Sequence, residues 1–200
     1  MLTSLLLAGT ALYSQVKFKV NSQNVYTIRD TLNVIVFAFD SGSEHSNLFD
    51  RGKINYSFRG VSLAQNACGG MKFIRKAKIR ENVPGLGTIR TNANILADEA
   101  FSSENCIPFD LLLGARVMKK HKLHFDNKRN ILTRLDSLPA DIGGYMRLEL
   151  KHGLFNHDYY TILDINGRRE KFLVDTGYSG HITMKSAQNN REAADAYDYL

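Results

Sequence analysis

The chain of 200 residues has no tryptophan, three prolines and two cysteines. Cys68 and Cys106 are too few for a disulfide framework. They leave open one bridge in an oxidising compartment or two free thiols. So little proline, with 15 glycines, excludes collagen-like and low-complexity classes. No apolar run reaches the roughly 18 residues that a membrane span needs, so no membrane span is expected. Cys and His never fall at zinc-ligand spacing. His121 and His124 form an i, i+3 pair without an acidic or Cys partner at motif spacing, and both read as surface residues. No metal and no cofactor is expected. A hydrophobic fraction of 44% excludes a disordered chain. The length suits one large domain or one and a fraction.

The net charge of +6 is modest. Much of it lies in two stretches, Lys72–Arg80 and Val117–Arg129. They suit either a basic groove for an anionic polymer or the solvated outer face of a sheet. No aromatic residues are interleaved at stacking positions, which favours the solvated face and argues against a nucleic-acid partner. Residues 1–15 hold an apolar segment of signal-peptide length followed by small residues, and Gly9 and Ala11 satisfy the small-x-small rule for cleavage. The segment has no Lys or Arg before its apolar part. It reads as an export signal, the alternative being an ordinary apolar strand. An exported protein (periplasmic, cell-surface or secreted) is therefore expected.

The remaining pattern is rich in strands. Val16–Val20 and Lys53–Phe58 alternate with period two, and Leu32–Phe39 is a nearly continuous apolar run that reads as one buried strand. Gly69-Gly70 punctuates two strand-like stretches. Asp98–Ser103 suits a short helix or a loop. Leu111–Gly114 reads as a strand, Ala115–His121 as a short helix, and Leu123–Leu135 as strand, turn and strand. Residues 136–144 have the composition of a linker. Strand pattern resumes at Met146–Leu150, and Lys185–Leu200 favours helix.

An internal repeat organises this pattern. Tyr26-Thr-Ile-Arg-Asp30 is echoed by Tyr160-Thr-Ile-Leu-Asp164. Phe37-Ala-Phe-Asp40-Ser41-Gly42 is echoed by Phe172-Leu-Val-Asp175-Thr176-Gly177. The spacing from Tyr to Asp differs by one residue between the copies, as a hairpin-loop insertion would produce. Two matches in the same order make two copies of one unit, with Asp40 and Asp175 offset by 135 residues.

In each copy an apolar strand runs into Asp-(Ser/Thr)-Gly. An Asp at the end of a buried strand meets desolvation of its ionised form. The hydroxyl of Ser41 or Thr176 can hold the turn, and Gly42 or Gly177 allows close approach or positive φ. One such Asp alone would be an ordinary Asx-turn. Two on a repeated unit would meet at a pseudo-twofold axis. Carboxylates a few Å apart share a proton and titrate as a pair. The charged member can take a proton from water and the neutral member can donate one to an amide carbonyl, which is general acid–base hydrolysis.

Phe172–Ile182 resembles the active-site motif of retropepsin-like aspartic proteases, and Val36–Ser43 is a second instance with Ser in place of Thr. Phe109-Asp-Leu-Leu-Leu-Gly114 is similar to the family's late apolar-apolar-Gly segment, which forms a structural loop beneath the catalytic turn. The resemblance implies an all-β fold built of barrel-like lobes, one complete unit plus the start of a second. The domains follow: 1–15 signal peptide, 16–135 first unit, 136–144 linker, 145–200 the first part of the second unit. It implies Asp40 and Asp175 as catalytic residues, with Ser41, Gly42, Thr176 and Gly177 in the supporting turns. Leu112, Leu113 and Gly114 would form the loop beneath. A flap hairpin is expected between Ile54 and Ile79, with Gly69-Gly70 at its tip.

Two residues depart from the family pattern. Glu44 would bring a third carboxylate near the pair unless it points outward, and Tyr178 would crowd the cleft; His45 and His181 could offset the added negative charge. After Asp40 the first unit runs on to Leu135, whereas after Asp175 the sequence stops at Leu200. The second lobe is therefore expected to be completed by a longer chain or by a partner chain. The expected activity is an aspartic endopeptidase acting on a peptide or protein substrate. The alternatives are a non-catalytic peptide-binding protein of the same fold and a homodimer using one Asp from each chain.

Overall fold

The structure is a computed structural model, and it describes residues 15–20, 25–65, 71–96, 109–137, 149–152 and 159–176. The export signal, Cys68, Gly69-Gly70, Asp98–Ser103, Cys106, most of the 136–144 linker, Gly177, Tyr178, His181 and the C-terminal helix expected from sequence lie outside the described residues. The protein is predominantly β, and among the described residues there is one four-residue helix. No helix among the described residues is long and apolar enough to cross a membrane.

Among the described residues, nine strands precede the helix, and eight of them form one large sheet. β1 (Gln15–Lys17) and β2 (Lys19–Val20) are split by Phe18. They are followed by β3 (Tyr26–Asp30), β4 (Ile35–Asp40), β5 (Ser46–Phe49), β6 (Tyr56–Gln65), β7 (Met71–Val83), β8 (Gly87–Leu96) and β9 (Leu111–Gly114). The large sheet runs β2-β3-β4-β9-β5-β8-β7-β6. After α1 (Ala115–Met118) come β10 (Lys122–Asp126) and β11 (Ile131–Leu135), which join β1 in a three-stranded sheet. β12 (Lys151–His152), β13 (Tyr159–Ile165) and β14 (Arg168–Leu173) form a third sheet.

Alternation sets which face each strand buries. In β7 and β8, Ala77, Ile79, Val83, Ile89, Ala93 and Ile95 are buried, while Lys78, Arg80, Arg90 and Asn92 between them are exposed. The buried set joins Ile28, Phe37, Phe39, Leu111, Leu113 and Leu132 in one core. At about 25 cal/mol per Å² of apolar surface removed from water, each fully buried Phe or Leu contributes roughly 1.5–3 kcal/mol. Phe18 breaks the first strand because it turns into this core, where its ring meets Tyr26 at 5.2 Å and Phe125 at 5.8 Å.

Several sequence expectations need correction. Leu32–Phe39 is not one strand: Leu32 and Val34 are exposed in a turn, and β4 starts at Ile35. The Asp30 carboxylate holds that turn by accepting from the Leu32 backbone N–H (2.9 Å) and the Asn33 side chain (2.8 Å). The residues at 51–54 bend, so the strand expected from Lys53 begins at Tyr56. α1 ends at Met118, and residues 119–121 form a turn rather than its continuation. Glu149 and Leu150 lie outside any strand, and pairing resumes at Lys151. His121 is half-buried, and its Nδ1 is enclosed without a hydrogen-bond partner. The one-residue difference between the repeats is no loop insertion. The first copy turns through residues 31–34, whereas the second turns tightly at Asn166-Gly167, both with positive φ, and its β13 is longer than β3.

Candidate active site

Asp40 ends β4, the central apolar strand, whose neighbours are β3 and β9. β9 runs parallel to it and places Gly114 opposite Asp40. Behind the turn, the Ala115 N–H donates to the Ser43 carbonyl (2.8 Å) and the Arg116 N–H to that of Glu44 (3.2 Å). Gly114 is required here by space: a Cβ would lie 2.5 Å from the His45 carbonyl oxygen and 2.6 Å from that of Ser43. Leu111 and Leu113 point into the main core, and Leu112 into a smaller cluster with Ala38, Phe49 and Phe109. The Leu-Leu-Gly segment thus supports the Asp40 turn from beneath.

The second motif meets the first through four reciprocal hydrogen bonds. The Ser41 backbone N–H donates to Thr176 Oγ1 (3.0 Å) and the Thr176 N–H donates to Ser41 Oγ (2.9 Å). Each hydroxyl then donates across the pair, Ser41 Oγ to the Val174 carbonyl (2.8 Å) and Thr176 Oγ1 to the Phe39 carbonyl (3.4 Å). The partners sit 135 residues apart, the offset of the repeat itself. Equivalent atoms of the two copies exchange equivalent bonds, so the pair obeys a local twofold relation. Ser41, Thr176, Asp40 and Asp175 are thereby brought together, while Gly177 lies outside the described residues.

The Asp40 carboxylate accepts from the Gly42 N–H (2.9 Å) and the Ser43 N–H (3.2 Å), both on Oδ1. It is also within hydrogen-bonding reach of Asp175. Burial first, then the hydrogen bond to Asp175 and its charge, push the Asp40 carboxyl up to about 6, against the smaller downward pull of the two backbone N–H groups. Gly42 is needed for proximity, not for positive φ. It is absent from the positive-φ glycines, and a Cβ on it would overlap the Asp175 carboxyl group.

Glu44 is turned away from the pair. Its carboxylate bonds the Arg116 guanidinium and lies 3.6 Å from His45 Nε2. It is not among the causes that raise Asp40.

The Phe109–Gly114 segment also carries a buried acid whose role the family motif does not reveal. Asp110 is 1% exposed. It accepts from the Val36 N–H (2.9 Å) and pairs with Lys53 Nζ at 3.0 Å, with an Arg51 nitrogen 3.6 Å away. A charged residue before an apolar triplet was the available signal. Among the described residues, no three His, Cys, Asp or Glu side chains are grouped as metal ligands. Compared with known proteins, the chain matches no family model and no curated protein.

Proposed function

We propose that the protein is an aspartic endopeptidase of the retropepsin-like type, with Asp40 and Asp175 as its catalytic pair. The observation that carries this reading is the reciprocal bonding of Ser41 and Thr176, which brings Asp40-Ser41 and Asp175-Thr176 face to face. A carboxyl raised to about 6 beside a second carboxyl is suited to holding one proton between them. In the reaction, the ionised member takes a proton from a water molecule as that water attacks the peptide carbonyl carbon. The protonated member gives its proton to the carbonyl oxygen. Collapse of the tetrahedral species breaks the C–N bond, with a proton passing to the leaving amine.

The β6–β7 hairpin is proposed as the flap. It lies where the resemblance expects one, with Tyr56 opposite Ile79 and Gln65 opposite Met71. Its strands leave Val61, Leu63 and Phe73 exposed, as suits a hairpin that closes over a peptide and excludes water.

The test is cleavage of an unbiased peptide library at mildly acidic pH by the full chain and by Asp40→Asn and Asp175→Asn. Each substitution is expected to lower turnover by about 10³-fold or more, since acid and base functions are lost together. New carboxyl groups should carry ¹⁸O when the solvent is labelled water. Cleavage retained by either variant overturns the paired mechanism. Peptide binding without turnover by the unmodified protein would make it a binding module.

A further inference from the structure

The two basic stretches of the sequence, Lys72–Arg80 and Val117–Arg129, come from distant parts of the chain, yet both contribute to one recess. A cavity of about 570 Å³ lies between the outward face of β6–β8 and the α1 segment. Arg59 reaches it from the β6 bulge, Lys76 and Lys78 from β7, and Arg90 from β8; Lys119 and Lys120 close it from the turn after α1. None of these six cations has an acidic partner among the described residues. Arg116 and His45 form the side nearest the catalytic turn, two residues beyond Gly114 and five beyond Asp40.

We propose that this recess is a subsite for acidic side chains of a peptide, next to the scissile bond. Its role in cleavage rests on the endopeptidase reading above, while its binding chemistry does not. Like charges around one recess repel, and at physiological ionic strength they act jointly on anything within about 8 Å. An entering carboxylate relieves that repulsion and gains charge-assisted hydrogen bonds, with the Arg forks offering bidentate geometry. The protein displays this chemistry at the rim, where Arg116 binds the carboxylate of Glu44. Thr91, Asn92 and Asn94 add neutral polar groups suited to a peptide main chain. A nucleic acid fits less well, because no Phe, Tyr or Trp lines the recess to stack on bases.

The test uses the full chain carrying Asp40→Asn, so that peptides are bound and not consumed. A fluorescein-labelled twelve-residue peptide with Glu at alternate positions is compared at pH 6, by anisotropy, with the same peptide carrying Gln. The Glu peptide is expected to bind at least about tenfold more tightly at 50 mM salt, with the advantage shrinking at 500 mM. Lys78→Glu with Arg90→Glu should abolish the preference, and Lys78→Gln with Arg90→Gln should reduce it, both without loss of the thermal melting transition. Lys128→Glu, on the exposed turn after β10, should leave it intact. Equal binding of the two peptides, or equal sensitivity to Lys128→Glu, overturns the subsite. So does a single-stranded oligonucleotide of matched charge that binds more tightly than the Glu peptide and is displaced by the same variants. Cleavage of neutral peptides by the unmodified protein with no Glu preference would refute the subsite and leave the protease standing. Tight Glu-peptide binding with no cleavage of any peptide would do the reverse.

Discussion

Asp40 shows how a single carboxyl held beside a second one can oppose stability. Its folded-state pKa of about 6 lies above the ordinary 3.8, so the folded protein holds the proton more tightly than the unfolded chain. Stability contributed by this group is therefore full below about pH 4, falls as pH rises through the window to about 6, and is a net cost at neutral pH. Asp40→Asn is expected to raise stability at pH 7 by on the order of 2 kcal/mol after partial solvent screening, with no gain at pH 3.5; urea denaturation at the two pH values checks this. The same shift predicts that kcat/KM declines as pH rises through about 6, where the pair loses its shared proton. Gly42→Ala should disable cleavage by at least about 100-fold with the fold retained, because its methyl takes the space of the Asp175 carboxyl. A library assay with a circular dichroism control measures both. The strand-end burial of Asp40 was legible in Phe37-Ala-Phe-Asp. The reason for Gly42 was not, because the clash involves an atom far away in sequence.

At the level of elements, hydrophobic periodicity located the strands and failed where a turn was itself apolar. Leu32 and Val34 extend the apolar run of β4, but Asp30 ends β3 and folds its carboxylate over the next residues, which forces them out of the sheet. The Asn166-Gly167 dipeptide is a stronger hairpin signal, and the chain turns there. Joining the second hairpin to the first unit depends on the Ser41 and Thr176 hydroxyls, whose pairing across the repeat follows from the shared motif. Ser41→Ala removes one acceptor and one donor, leaving the Thr176 N–H and the Val174 carbonyl unmatched. The expected cost is about 2 kcal/mol, and Ser41→Thr should restore most of it; chemical denaturation of the three proteins decides the point. Asp110 fastens β4, β5 and β9 at one end, through the Val36 N–H, its own carbonyl to the Phe49 N–H, and Lys53. Asp110→Ala leaves the Val36 N–H without its side-chain acceptor, while the partly exposed Lys53 and Arg51 turn to solvent; it should cost about 1–3 kcal/mol in chemical denaturation.

For the molecule as a whole, the repeat made the twofold site legible, since matching motifs in the same order at nearly equal spacing imply similar geometry. The charge distribution was not legible in the same way. Lys72–Arg80 and Val117–Arg129 each alternate or cluster as a solvated face would, and only the seating of α1 on β9 and β5, across a cavity from the β7–β8 face, brings them to one recess. The repeats are also unequal in what they bury. Every buried hydrophobic side chain among the described residues lies between Phe18 and Leu132, whereas Thr161 is the one buried residue among those described in 149–152 and 159–176. Among the described residues the apolar core thus lies in the 18–132 part of the chain, to which the second hairpin brings its carboxyl and its hydroxyl. A fragment spanning 15–137 is therefore expected to unfold cooperatively by itself. In that fragment Asp40 loses the hydrogen bond and the charge of Asp175 and some of its burial, the three causes that raise it, while the Gly42 and Ser43 N–H groups still favour its ionised form. Its pKa should fall from about 6 toward the ordinary carboxylate range, read by NMR titration of the Asp40 side chain in the fragment and in the full chain. An unchanged value would mean that burial within the first unit alone sets the proton affinity, and that the second motif does not tune the first.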